Sequence, residues 1–133
     1  MSIPKHLKHK PILGVENYEI IDGKYAGNSD AKAISIGKAQ WDNNEISAKV
    51  FRHTGTKWSR QSEELPLHRV LDLANLILSA YLQKQGNYVQ STILNEEIIE
   101  PDEYEKIKEY IKDNPYLEER IRELQNTLKK IQK

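Results

Sequence analysis

Residues 57–83 read KWSRQSEELPLHRVLDLANLILSAYLQ, and the way this run divides decides the fold. Its opening, Lys57-Trp58-Ser59-Arg60-Gln61, mixes a large aromatic ring with cations and hydrogen-bonding side chains, a composition suited to holding a ligand. Its remainder is the most apolar run in the chain and reads as the core. Pro66 lacks an N–H and has φ preset near the helical value, so it suits a first helical position. The spacing predicts a helix from Pro66 to Gln83 or Lys84, with Gly86-Asn87 supplying the stop. Leu67, Val70, Leu71, Ala74, Ile77, Leu78, Tyr81 and Leu82 recur at three- and four-residue intervals, and Leu73, Leu76 and Ala80 widen the stripe, which predicts burial on most sides.

His68, Asp72, Asn75, Ser79 and Gln83 stack on the remaining face. They read either as a polar strip lining a cleft or as the solvated edge of a buried helix, the second being the commoner case.

Formal net charge is zero, but the distribution is split. Residues 1–60 hold 10 Lys/Arg against 6 Asp/Glu (+4), and residues 61–133 hold 10 against 14 (−4). This asymmetry suits an anionic ligand on the first half and equally a head-to-tail subunit contact. The absence of cysteine excludes disulfides and thiolate metal sites. No apolar run is long enough for a signal peptide core or a membrane span, so a soluble, cytoplasmic protein is expected.

Taken in order, residues 1–12 form a basic arm with two prolines, where His6 and His9 are expected to sit in water. A short strand is predicted near Tyr18 to Asp22, closed by Asp22-Gly23, and Asn28-Ser29-Asp30 reads as a plain turn. Better strands follow. In residues 31–41, Ile34 and Ile36 alternate with Ala33, Ser35, Gly37 and Ala39. In residues 45–53, Ile46, Ala48 and Val50 form a face for the core helix, opposite Ser47, Lys49, Phe51 and His53. Asp42-Asn43-Asn44 turns between them, and Thr54-Gly55-Thr56 closes a second hairpin onto a strand at Lys57 to Gln61. Residues 86–100 are a connector in which Tyr88 to Leu94 is extended or a strand. Helices are predicted from Pro101 and from Pro115 to Gln132, with Asn114 or Asp113 as cap. In the last, Leu117, Ile121, Leu124, Leu128 and Ile131 make a narrow seam for an intrachain hairpin or an oligomer contact.

The fold class is therefore α+β. It is a single domain of 1–133, with an arm (1–12), an antiparallel sheet of three to four strands (13–62), a long central helix packing that sheet (63–85), and a connector with two C-terminal helices (86–133).

No catalytic signature emerges. Ser59 or Ser62 with His53 or His68 lacks nucleophile-elbow glycines, Glu63-Glu64 sits where helix-start carboxylates are common, and the four histidines lack metal-site spacing. A phosphodiesterase built on His53 and His68 is a weaker alternative. No metal or cofactor is implied. The stronger reading is recognition of a nucleotide-like anion by Arg52, His53, Lys57, Trp58 and Arg60, with the indole as a stacking face and the cations on phosphate. Tyr81, Asn87 and Tyr88 would supply the other wall if a second subunit brings them across. The opposing reading buries Trp58 and leaves the cations as strand-edge protection.

The stretch Gly37-Lys38-Ala39-Gln40-Trp41, with Lys57 to Leu73, resembles a small protein family of low-GC bacteria and their phages. In layout the chain is also similar to the phage anti-Thoeris sponge proteins. That resemblance implies a non-enzymatic homo-oligomer, a dimer or higher, that sequesters a cyclic ADP-ribose isomer and so disarms host defence. A single-stranded nucleic-acid binding module and a structural oligomeriser are the alternatives.

Overall fold

The computed structural model describes residues 2–60 and 63–132. Gln61 and Ser62, the end of the strand predicted from Lys57 and one of the candidate serines, lie outside them. The chain divides into two compact units, Met1–Leu71 and Asp72–Lys133.

The first unit is an antiparallel meander with strand order β1-β2-β3-β4, formed by β1 (Lys10–Glu16), β2 (Ala31–Lys38), β3 (Ile46–Arg52) and β4 (Glu63–Pro66). The two strands with the clearest alternation, β2 and β3, pair through Ile34 with Val50 and Ile36 with Ala48. Asp42 turns the chain between them as its composition predicts: its side-chain Oδ1 accepts from the Asn44 N–H (2.9 Å) and its carbonyl from the Glu45 N–H (2.9 Å).

Three expectations are corrected here. The first strand is Lys10–Glu16, which begins inside the supposed arm, and Tyr18 to Tyr25 forms two short 3-10 turns (Tyr18–Ile20 and Gly23–Tyr25) in place of a strand. The hairpin predicted at Thr54-Gly55-Thr56 forms, with Gly55 at φ +100°, but among the described residues its return is an isolated His53–Trp58 bridge and not a strand. The fourth strand comes later, where a helix start is expected, so Glu64 lies opposite Lys49 and Pro66 opposite Ser47.

The deepest correction concerns which sheet face is inside. Alternation separates Ile34, Ile36, Ala48 and Val50 from Ser35, Ser47, Lys49 and Phe51, as the sequence predicts. Yet the mixed, polar face is the covered one, since Ala33, Ser35, Ser47, Lys49, Phe51 and Glu64 are all buried, while Leu13 (69 % exposed) and Ile36 (40 %) lie open on the other. Its cover is the amino-terminal segment: Leu7, Ala33 and Phe51 form the core cluster, with Ile3 and Trp58 packed against it.

The central helix α1 (Leu67–Leu82) starts one residue after Pro66 and ends one residue before the expected Gln83, but it holds no core. Ser79 is its single buried residue, and Leu71, Leu73, Leu76, Ile77 and Leu82 are exposed.

In the second unit a 3-10 turn (Pro101–Glu103) leads into α2 (Tyr104–Ile111), and α3 spans Pro115–Ile131. The predicted cap is present: Asn114 Oδ1 accepts from the Leu117 N–H at 3.1 Å, with Pro115 in the first turn. Tyr88 to Leu94 contains no strand.

Close approach of β1 to β2 makes Gly37 indispensable, because a Cβ there would stand 2.0 Å from the Lys10 carbonyl oxygen. Gly37→Ala is therefore expected to cost about 1–3 kcal/mol, measured as a drop in the denaturation midpoint, whereas Gly55→Ala meets no neighbour and acts only through its positive φ.

Candidate functional site

Two arrangements in the first unit concentrate chemistry. One is sealed and the other is open.

The sealed one centres on His9, which is fully buried against the expectation that it sits in water. Its Nε2 lies 2.7 Å from Ser35 Oγ, and its Nδ1 lies 2.9 Å from Ser47 Oγ and 3.2 Å from Glu64 Oε2. The Ser47 hydroxyl donates to Glu64 Oε2 (2.7 Å), so its oxygen is left to accept from the imidazole. A neutral ring with its proton on Nδ1, and the Ser35 hydroxyl donating to Nε2, then satisfies both ring nitrogens, while Glu64 Oε1 is buried with no partner among the described residues. The Gln40 N–H donates to the same carboxylate oxygen (2.9 Å).

Burial holds the His9 imidazole below its usual range, outweighing the attraction of Glu64. Burial alone would raise Glu64, but hydrogen bonds from Ser47, the Gln40 N–H and His9 together hold it below the usual carboxylate range. Burial also lowers the Lys49 ammonium, with Glu64 opposing.

Ser35, His9 and Glu64 thus have the contacts of a charge relay, in residues other than the Ser59, Ser62, His53 and His68 singled out by sequence. Strand alternation turns the Ser35 hydroxyl toward the covered face, where Ser35, His9 and Glu64 are all buried. It is a clasp that fastens the amino-terminal segment to three strands.

The open arrangement is a cleft of about 1030 Å³ bounded by the 3-10 turns, the Gly27–Lys32 segment and the ends of β3 and β4. Tyr18 and Tyr25 line one part of it, and Arg52, His53, Thr54 and Gly55 another. Tyr25 is 57 % exposed, with the Lys24 ammonium 5.3 Å from its ring centroid. The turns hold their shape through Gly27 at φ +83°, a hydrogen bond from its N–H to the Glu19 carbonyl (2.8 Å), and donation from the Ser29 hydroxyl to Asp22 Oδ2 (2.6 Å).

Electrostatically the cleft is acidic. Glu19, Asp22, Asp30 and Glu63 face Lys32 and Arg52, giving 2 − 4 = −2 with His53 neutral. The Arg52 guanidinium is shared between Asp30 (3.6 Å) and Glu63, in pairs that are about half exposed. Such solvated pairs are worth about 0–1 kcal/mol, so a ligand can draw the guanidinium away. Lys32 lies 4.0 Å from Glu19.

Of the residues chosen from sequence, Arg52 and His53 line this cleft, while Lys57, Trp58 and Arg60 are not among its lining residues. Trp58 is half-buried, edge-on to Phe51 (6.1 Å) and to His53 (5.0 Å). Lys57 and Arg60 are exposed. Tyr18, Asp22, Tyr25 and Ser29 are the cleft residues that the sequence reading passes over, and their signal was a pair of tyrosines flanking the Asp22-Gly23 turn.

Tyr81, Asn87 and Tyr88 belong to the second unit. Asn87 is exposed, and the Tyr81 ring lies 4.0 Å beneath the Lys84 ammonium. Tyr88 joins a polar knot in which its hydroxyl meets Ser79 Oγ (2.7 Å) and Glu96 accepts from the Thr92 hydroxyl (2.6 Å) and the Ser91 N–H (2.8 Å). These donors, Thr92 first, hold the Glu96 carboxyl far below the usual range. Ser79 on α1 and Gln83 just beyond its end, two members of the predicted polar line, thereby anchor the connector, since the Ser79 hydroxyl also meets Ser91 Oγ (2.6 Å) and Gln83 pairs with the backbone of Val89. Among the described residues no group of three His, Asp or Glu side chains is placed to share a metal ion, and no described helix is long and apolar enough to cross a membrane.

The model of a family of unknown function, DUF6530, matches residues 1–133. The chain belongs to the DUF6530 family. No curated protein and no solved structure matches it.

Stability should fall on acidification. The unfolded chain takes up a proton on His9 near pH 6.5 that the folded chain resists, so that contribution is complete above 6.5 and is lost as pH drops toward the folded value. Glu64 acts in the same sense lower down, its contribution being lost as pH falls from 4.5 through its depressed folded value. His9→Leu should lower stability by about 2–4 kcal/mol by stranding Ser35, Ser47 and Glu64, and should flatten the loss just below pH 6.5, read by denaturant titration at stepped pH. In the second unit, Glu96→Ala should raise hydrogen exchange across residues 88–96 and leave β2 and β3 protected.

Proposed function

We propose that the protein is a non-enzymatic cytoplasmic binding protein that captures a nucleotide-like small molecule, a messenger such as a cyclic ADP-ribose isomer, and thereby withdraws it from an anti-phage defence signal. The observation that carries this reading is the open cleft in which the exposed Tyr25 ring and the loosely paired Arg52 guanidinium line one cavity. Its volume is that of a small-molecule site.

Each part of such a ligand meets suited chemistry. A base stacks on a tyrosine ring for about 1–3 kcal/mol. The carboxylates of Asp22 and Glu19 accept hydrogen bonds from ribose hydroxyls, and Arg52 takes a phosphate bidentately once released from Glu63. The acidic lining disfavours a ligand that is phosphate alone or a long polyanion, which places a single-stranded nucleic acid second. Capture without turnover fits the sealing of the Ser35-His9-Glu64 relay beneath the amino-terminal segment.

The test is calorimetric titration with a cyclic ADP-ribose isomer, adenosine and an oligothymidylate series, followed by heating the complex and assaying the released ligand. Intact messenger in the supernatant is expected, and a cleaved product would mean an enzyme. Arg52→Ala should weaken binding about tenfold or more and Tyr25→Ala should weaken it by a similar order. Glu63→Gln should tighten it by freeing Arg52. Affinity indifferent to Arg52 and Tyr25, or rising with oligonucleotide length, would remove the reading.

A further inference from the structure

The sheet face opposite the clasp carries one apolar row across all four strands, Leu13, Ile36, Ala48 and Leu65, and a second across three, Val15, Ile34 and Val50, closed on β4 by Glu63. Ile46 extends the face at the end where Lys38 stands opposite it, and Arg52 borders it at the other end. These rows border a groove of about 760 Å³. A sheet that buries Ser35, Ser47, Lys49 and Glu64 on one face and turns its Ile, Leu and Val side chains to the other is built to have that outer face covered by protein.

We infer that this face is a self-association surface, occupied by the same face of a second copy of the chain. Its charges choose that occupant and the sense of packing. One end bears Lys38; at the other, Arg52 is outnumbered by Glu63 and Asp30, which share its guanidinium. A two-fold axis across the strands sets the Lys38 end of each copy against the Glu63 end of the other. An axis along the strands sets lysine against lysine. An isologous pair of this kind needs only one patch, complementary to itself.

The central Ala48 leaves room for Ile34 and Ile36 to interdigitate, as in aligned sheet packing. Four strands spaced about 4.8 Å apart and about seven residues long give a footprint of roughly 450 Å² per copy, or roughly 900 Å² in all. That lies below the standard size of a stable interface. The association is therefore weak and depends on concentration.

The chain has no cysteine, so a single engineered thiol reports the contact cleanly. Ala48→Cys lies beside the axis and should form an intermolecular disulfide on air oxidation, while Asn43→Cys, in the β2–β3 turn, should not. In sedimentation velocity across a concentration series the wild-type mass should rise toward a dimer, and Ile36→Lys should stay monomeric with an unchanged circular dichroism spectrum. Should Ile36→Lys misfold, Leu13→Lys on the edge strand gives the same reading. The inference is overturned by a wild-type monomer at every concentration, by a dimer that survives both lysine variants, or by an Ala48→Cys thiol that neither cross-links nor reacts with an alkylating agent in the monomer. The last result would mean that the chain covers this face itself.

Discussion

One buried imidazole determines which side of the sheet is the inside. His9 arrives from the amino-terminal segment and finds Ser35 on β2, Ser47 on β3 and Glu64 on β4 within hydrogen-bond distance. Burying a polar side chain without partners costs several kcal/mol, so the segment can cover this face only because the face is polar in matching places. Leu7, Ala33 and Phe51 add the apolar contact that a hydrogen-bond network alone would not supply. Once that face is taken, Ile34, Ile36, Ala48 and Val50 must point away from it, and the apolar outer surface follows from the clasp.

This explains how far the sequence could be read. Period-two alternation located β2 and β3 and separated their faces correctly, because side-chain direction in a strand is a local property. It could not say which face is covered, because that depends on Leu7 and His9, which lie 26 residues or more from the side chains they meet. An apolar-in default then assigned the core to the wrong face of the sheet. The start of α3 was legible for the opposite reason, since Asn114, Pro115 and the Leu117 N–H lie within one turn. The end of α1 was legible on the same local grounds.

The candidate site divides the same way. Arg52 and His53 stood out because a strand ending in cations beside a glycine turn is visible locally. Tyr18 and Tyr25 reach the same cleft only through two 3-10 turns set by Asn17, Gly23 and Gly27 at positive φ, where alternation gives no guidance. Trp58 carried the strongest signal by composition, yet it sits edge-on to Phe51 and His53. Cleft and clasp use opposite ends of the same polar chemistry. In one, charges stay solvated and exchangeable; in the other, burial fixes their protonation and removes them from reaction.

The most direct test of the account is nitrogen-15 NMR of the His9 side chain in the 133-residue chain. The account predicts a neutral ring protonated on Nδ1, slow exchange of that proton, and a titration midpoint below 6.5. A ring that exchanges rapidly and titrates at or above 6.5 would contradict it, because the polar face would then be open to water and the assignment of inside and outside would fail.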